Sequence, residues 1–194
     1  PTWGSKKILT VLASRISRSR LPARSTVDAI LSRHGLVEPR SKRRRCPARL
    51  APVAVAEQPN DGWSIDYKGW FRVGDGTRCD PLTVNDVASR MSLKLQALVQ
   101  PRSEDVQRIL AAAFGEYGLP RWILSDNGPP FGSSGLGGLT RLRVWLLKIG
   151  VTPVFIQPGH PEQNGRHERF HLTLKREAAS PPSPTIASQQ ARFT

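Results

Sequence analysis

The chain has 194 residues, a net charge of +14 and 38% hydrophobic residues. That length holds one medium domain and a small one, and the charge points to nucleic acid as a partner. No apolar run approaches the ~20 residues that cross a bilayer, the amino terminus is not a signal peptide, and Cys46, Cys79 and four scattered histidines do not make a zinc site. The charge is uneven. Residues 1–60 hold 13 Lys/Arg against 3 Asp/Glu, and residues 61–194 hold 16 against 12. The front third is therefore the electrostatic footprint, and the rest is nearer an ordinary enzyme domain. The cysteines read as reduced thiols. Because the chain opens on Pro1 and stops inside an expected helix, further sequence is expected beyond both ends.

Residues 5–16 place Ile8, Leu9, Leu12 and Ile16 on one helical face. A basic, proline-containing turn runs from Ser17 to Arg24. Ser25-Thr26-Val27-Asp28 has the form of a helix start with an acid three past the cap. This second helix is predicted to reach His34, with Gly35 as its stop. Two short helices, a turn and exposed basic residues read as a helix-turn-helix over residues 1–37, with Arg24, Thr26 and Arg33 as candidate DNA contacts. The blander alternative is a helical hairpin that only packs on its neighbour. Residues 38–60 are a basic linker, in which Arg43, Arg44 and Arg45 would touch phosphates without reading sequence.

From residue 61 the pattern changes. Trp63, Ile65 and Tyr67 alternate with Ser64, Asp66 and Lys68, which predicts a strand. Gly74-Asp75-Gly76 marks a hairpin turn. Residues 78–85 and 93–99 are two further strands, completing an antiparallel meander. Ser103 is expected to cap a helix carrying Val106, Ile109, Leu110, Ala113 and Phe114 on its apolar side. Residues 121–125 are a short buried strand ending at Asp126, and 127–138 a Gly/Ser-rich loop. Leu139, Leu142, Leu146 and Ile149 mark another helix, 151–157 a last strand, and 166–179 a helix after a turn-rich loop. Residues 180–194 read as a break and a truncated tail. The pattern gives an α/β three-layer sandwich with a mixed five-stranded sheet over residues 61–179.

Three carboxylates in this region are hard to explain locally. Asp is depleted in strands, so Asp66 in a buried strand needs a cation, strong donors or a proton. A salt bridge to a nearby Lys or Arg is the ordinary alternative. Asp126 sits at the carboxyl end of a strand, where α/β sheets place ligands, although Asp126-Asn127-Gly128 is also a common turn. For the third acid, Glu162 lies in a loop that fixes nothing, whereas Glu168 lies on a helix that sets its direction. Asn164, His171 and Lys175 share its face, with Phe170 and Leu174 on the roughly opposite side. Glu168 is the preferred candidate. Three carboxylates from separate elements suit magnesium-dependent phosphodiester chemistry.

The segments Trp63 to Lys68, Ser125 to Phe131 and Pro158 to His171 resemble the three signatures of the integrase-type catalytic core, most of all in bacterial insertion-sequence transposases of the Asp-Asp-Glu class. The similarity covers about residues 60–179. It implies a ribonuclease H-like fold preceded by a small all-α helix-turn-helix segment, and two divalent cations, Mg²⁺ or Mn²⁺. By matching position it makes Asp66, Asp126 and Glu168 the catalytic metal ligands. Asn164 and Lys175 match places where related enzymes touch the DNA end. Two departures stand out: the interval from Asp126 to Glu168 exceeds the family's common 35 intervening residues, and relatives continue with a further helix beyond this chain's end. The implied function is DNA end cleavage and strand transfer, with transposon ends and target DNA as partners and a homo-oligomer on DNA, at the bacterial nucleoid in the cytoplasm. No membrane and no small-molecule substrate are expected. Asp66 would bridge both ions, Asp126 hold one and Glu168 the other, with the ions ~4 Å apart. Two alternatives stay open: an inactive remnant that only binds DNA, and a nuclease of the same fold that only hydrolyses.

Overall fold

The computed structural model describes residues 3–37, 54–132, 139–157 and 160–193. The expected linker contacts Arg43, Arg44 and Arg45 lie outside the described residues, as does Cys46. The chain divides into two compact units, residues 1–48 and 49–194.

In the first unit, helix α1 spans Ser5–Ala13 and helix α2 spans Arg24–Arg33, joined through a short 3-10 turn at Arg18–Arg20. The expected capping at Ser25 does not occur. Pro22 precedes extended Ala23, which takes the cap position two residues earlier without a side-chain cap, so that the helix begins at Arg24. Ser5 and Val27 are buried between the helices, and Arg24 reaches Ser5 Oγ at 3.4 Å.

The second unit is built on strands β1 (Gly62–Tyr67), β2 (Phe71–Arg72), β3 (Arg78–Asp86), β4 (Ser92–Leu98), β5 (Trp122–Ser125) and β6 (Thr152–Phe155). β1 pairs antiparallel with β3, β3 antiparallel with β4, and β1, β5 and β6 run parallel. The five expected strands thus form one mixed sheet, and the two-residue β2 extends the line of β1 along β3. Gly62 allows the close pairing of β1 with β5, because a Cβ there would lie 2.2 Å from the Trp122 ring.

Alternation along β1 divides the sheet into two faces. Trp63 and Ile65 join Leu82 and Val84 in the main core, against Val106, Leu110 and Ala113 of α3 (Ser103–Tyr117) and Leu142 and Leu146 of α4 (Arg141–Lys148). Trp63 also packs against Phe114 and Tyr117, with ring centroids at 5.4 and 6.5 Å. The other face, carrying Ser64 and Asp66, is covered by α5 (Gly165–Glu177). Asp66 therefore interrupts an apolar strand only in sequence, since its side chain never enters the main core. The fold is ribonuclease H-like.

Beyond the break near residue 180, α6 (Ile186–Phe193) packs on β4. Ile186 and Phe193 meet Val73, Cys79 and Ala97 in a second small core. Gln190 accepts from the Ala97 N–H at 2.7 Å and donates to Leu95 O at 3.1 Å, which covers backbone groups that an edge strand leaves open. Among the described residues no helix is long and apolar enough to cross a membrane.

Candidate active site

Asp66 is half-buried near the end of β1, and its Oδ2 accepts a 3.0 Å hydrogen bond from Asn164 Nδ2. Among the described residues no lysine or arginine pairs with it, so the salt-bridge alternative finds no support there. Burial pushes its carboxyl up to about 7, and the charges of Asp126 and Glu168 push in the same direction. The Tyr67 backbone N–H and the Asn164 amide oppose that rise without cancelling it. Asp66 thus feels the other two acids across the fold.

Asp126 follows β5, at the carboxyl end of a strand whose parallel neighbours are β1 and β6. The turn reading is also correct locally: the Gly128 N–H donates to Asp126 Oδ1 at 3.1 Å. A Cβ at Gly128 would lie 3.2 Å from Asp126 Oδ2, so glycine keeps that carboxylate uncrowded. Asn127 Nδ2 ties the loop to Ile156 O at 2.8 Å.

Glu168 stands in the first turn of α5 and is exposed. The helix carrying it is fixed to the sheet by groups that sequence reasoning passed over. His167 is 2% exposed. Its Nδ1 lies 2.9 Å from Ser64 Oγ, and its Nε2 contacts Thr83 Oγ1. His171, one turn on, brings Nε2 to the same Thr83 Oγ1 at 2.8 Å. Thr83 in turn donates to the Asp66 carbonyl at 3.0 Å. A hydroxyl has one proton to give and two lone pairs to receive. Both imidazoles therefore donate from Nε2, and the Ser64 hydroxyl donates to His167 Nδ1. As placed, Asn85 Nδ2 lies 3.3 Å from His167 Nε2; turning the amide would put its otherwise unpartnered Oδ1 there to accept the Nε2–H.

Burial, then the neighbouring His171, lowers His167 to about 3; burial, then the Lys68 charge, lowers His171 to about 4. Both rings are neutral near pH 7. The available signal was the His167–His171 spacing of four residues with Leu174 three further on, the inward stripe of a helix. Phe170 and Leu174 do pack inward, Leu174 fully.

Positive charge flanks the acids. Lys68 is held below its usual range by burial and by the charge of Lys175, so the two lysines face each other across β1 and α5. Lys175 is exposed, whereas Asn164 is buried with its amide committed to Asp66. In the first unit Arg24, Thr26 and Arg33 are all exposed on α2, and Arg24 lies 3.7 Å from Asp28. The side chain of Glu162 is outside the described part. Cys79 is buried and unpaired, its thiol pushed up to about 11 by burial and then by Asp80.

The fit to a metal follows from these contacts. The acids offer only hard oxygen donors, the type Mg²⁺ and Mn²⁺ prefer. Their mutual repulsion at Asp66 is what a cation would relieve. Among the described residues no three His, Cys, Asp or Glu side chains already stand as a ligand set. Glu168 is exposed, and its charge already acts on the half-buried Asp66.

Comparison with known proteins gives the same outline. A family model described as an integrase core domain matches residues 56–161, and a second of that description matches 149–193. The chain is 30% identical over 135 residues to an uncharacterized 39.2 kDa protein of insertion element IS476 from Xanthomonas euvesicatoria, covering 70% of this chain and 37% of that protein. It is equally similar to an uncharacterized 31.7 kDa protein of insertion element IS407 from Burkholderia multivorans, covering 70% and 46%. The chain spans less than half the length of these curated relatives. The HTLV-2 integrase catalytic core in complex with magnesium superposes with a TM-score of 0.53 at 16% identity, over 69% of this chain and 82% of that one. A chain of the simian T-cell lymphotropic virus intasome in complex with PP2A regulatory subunit B56 gamma superposes with a TM-score of 0.57 at 17% identity, over 98% of this chain and 67% of that one.

Proposed function

Because the chain belongs to the integrase core domain family, we propose that it is a DNA transposase, cutting DNA ends and joining them to a target with Asp66, Asp126 and Glu168 as its metal-holding carboxylates. The observation that carries this reading is the electrostatic convergence of the three acids on Asp66 from β1, the end of β5 and α5. A bound pair of Mg²⁺ ions would activate the attacking water or 3′-hydroxyl and stabilise the departing oxygen.

The chain's own residues prepare that chemistry. Asn164 aims the Asp66 carboxylate through its 3.0 Å bond. Neutral His167 and His171 pin the helix that carries Glu168 without adding charge beside the cation site. Lys68 and Lys175 sit where a phosphate backbone would pass, with α2 and the basic linker adding non-specific affinity that falls with salt. A second copy of the chain on DNA completes the reading, since joining two ends requires two cores.

Oligonucleotides carrying pre-cleaved element ends test this reading. Joined products in Mg²⁺ are expected from the parent chain, with loss of at least about a hundredfold in Glu168→Gln while DNA binding persists. Cut products without joining would make it a nuclease. The second reading is a DNA-binding remnant without catalysis. It predicts binding that ignores Mg²⁺ and no products from either protein.

A further inference from the structure

The line of β1 is interrupted where it passes into β2. Between the pairs Tyr67↔Leu82 and Phe71↔Cys79 the first line advances from 67 to 71 while β3 moves only from 82 to 79. One extra residue is therefore bulged out around Gly69 and Trp70, and Gly69 takes a φ of +87° to allow it. Bulges re-aim side chains. Here Phe71 and Cys79 turn toward the small core under α6, while Trp70 is thrown out beside Arg72 and Arg78.

The cluster is costly to the free protein. Arg72 and Arg78 are directly opposed across the strands, a like-charge pairing that destabilises a sheet. Both guanidiniums lie against one indole, 5.9 and 5.1 Å from its centroid. Arg78 pairs with Asp80 at 2.7 Å. Arg72 spends one N–H on Gly76 O and, among the described residues, is matched with no carboxylate. Trp70 remains 56% exposed, unusual for the largest side chain. An exposed indole with two guanidiniums lying over it is the chemistry that holds a nucleic-acid strand once a base takes the place of one of them: base on ring, phosphate on guanidinium.

We infer that Trp70, Arg72 and Arg78 form a binding platform for an unpaired stretch of DNA, stacking one base on Trp70 and taking its phosphate on Arg72. The inference rests on the proposed DNA activity and gives it a second contact point. Trp70 is four residues beyond Asp66 in the chain, but alternation puts Arg78, against which it packs, on the Leu82 side of β3, whereas Thr83, which bonds the Asp66 carbonyl, lies on the Cys79 side. The platform therefore belongs to the opposite face of the sheet from the acids and is a contact point separate from the site of cutting.

Fluorescence anisotropy on the full chain tests the platform, using a short single strand and the blunt duplex of the same sequence. Trp70→Ala is expected to weaken single-strand binding about tenfold, and Trp70→Phe to keep most of the affinity. Arg72→Gln should lower the salt slope by about one without separating base from abasic strands. Blunt-duplex binding should be unchanged in Trp70→Ala. Single-strand binding equal to the parent, equal loss on duplex and single strand, or a changed oligomeric state in place of a changed affinity would each overturn the platform. If the parent binds neither DNA, the proposed function fails with it; if only the Trp70 variants behave as parent, the platform alone fails.

Discussion

Asp66→Asn is expected to raise the melting temperature of the metal-free protein at pH 8 by about 5–10 °C. The cause is the carboxyl held up at about 7 against 3.8 in a free chain, by burial and by Asp126 and Glu168. The folded state thus holds a proton that the unfolded state has released. A raised acid adds stability at pH 4 and below, and that contribution is lost as pH climbs through 7. At pH 8 the protein carries the whole cost of an ionised, crowded carboxylate. About three pKa units at 1.36 kcal/mol each set an upper limit of ~4 kcal/mol, and relaxation brings it to about 2–4. Asparagine keeps the shape and still accepts from Asn164. The gain should vanish near pH 4, where Asp66 is already neutral in the fold. Thermal melts at the two pH values with chelator present check this. A loss of stability at pH 8 would mean that Asp66 already has an unseen partner. A gain at the expense of function is what a site built for a cation should show.

The second large effect lies one residue from Glu168. His167→Ala is expected to cost about 3–4 kcal/mol of unfolding free energy, measured by urea denaturation. The change empties a fully enclosed imidazole site. It leaves Ser64 Oγ without its 2.9 Å partner and removes one of the two donors to Thr83. His167→Gln, which can still place a donor near Thr83, should recover part of the loss. The same network bonds the Asp66 carbonyl through Thr83 and anchors α5 at His171. Loosening it separates the strand that carries one acid from the helix that carries another. A cost within 1 kcal/mol would show that Leu174 and Phe170 alone hold the helix.

Much of this was legible in the sequence. The alternation of Trp63, Ile65 and Tyr67 with Ser64, Asp66 and Lys68 gave both faces of β1, because a pleat has a strict period of two. The helix after the Asn-Gly turn set Glu168 beside Asn164. Other features were not local. Ala23 entered α2 without a capping side chain, because extended backbone after Pro22 sufficed. The anchoring by His167 depends on Ser64, Thr83 and Asn85, which lie at least 82 positions away and become neighbours only in the fold. Asn164 shares a face with Glu168, yet its amide turns back to Asp66, a choice made by burial rather than by helical spacing. The bulge at Trp70 needs the register of β3, which no single strand reveals. The packing of α6 on β4 was hidden because Gln190, polar in any hydropathy scale, fastens it to the strand, while Gln189 ties the same helix back to Ala178 and Ser183.

The most direct measurement is a Mn²⁺ titration, by calorimetry or by loss of the free-ion resonance signal, on the parent and on Glu168→Gln and Asp126→Asn between pH 6 and 8. Binding should displace the Asp66 proton, so parent affinity should rise about tenfold per pH unit up to about 7 and level off above it. Each variant should bind at least about tenfold more weakly. Equal affinity in parent and variants, with no dependence on pH, would place the metal elsewhere and leave the three acids without a shared task.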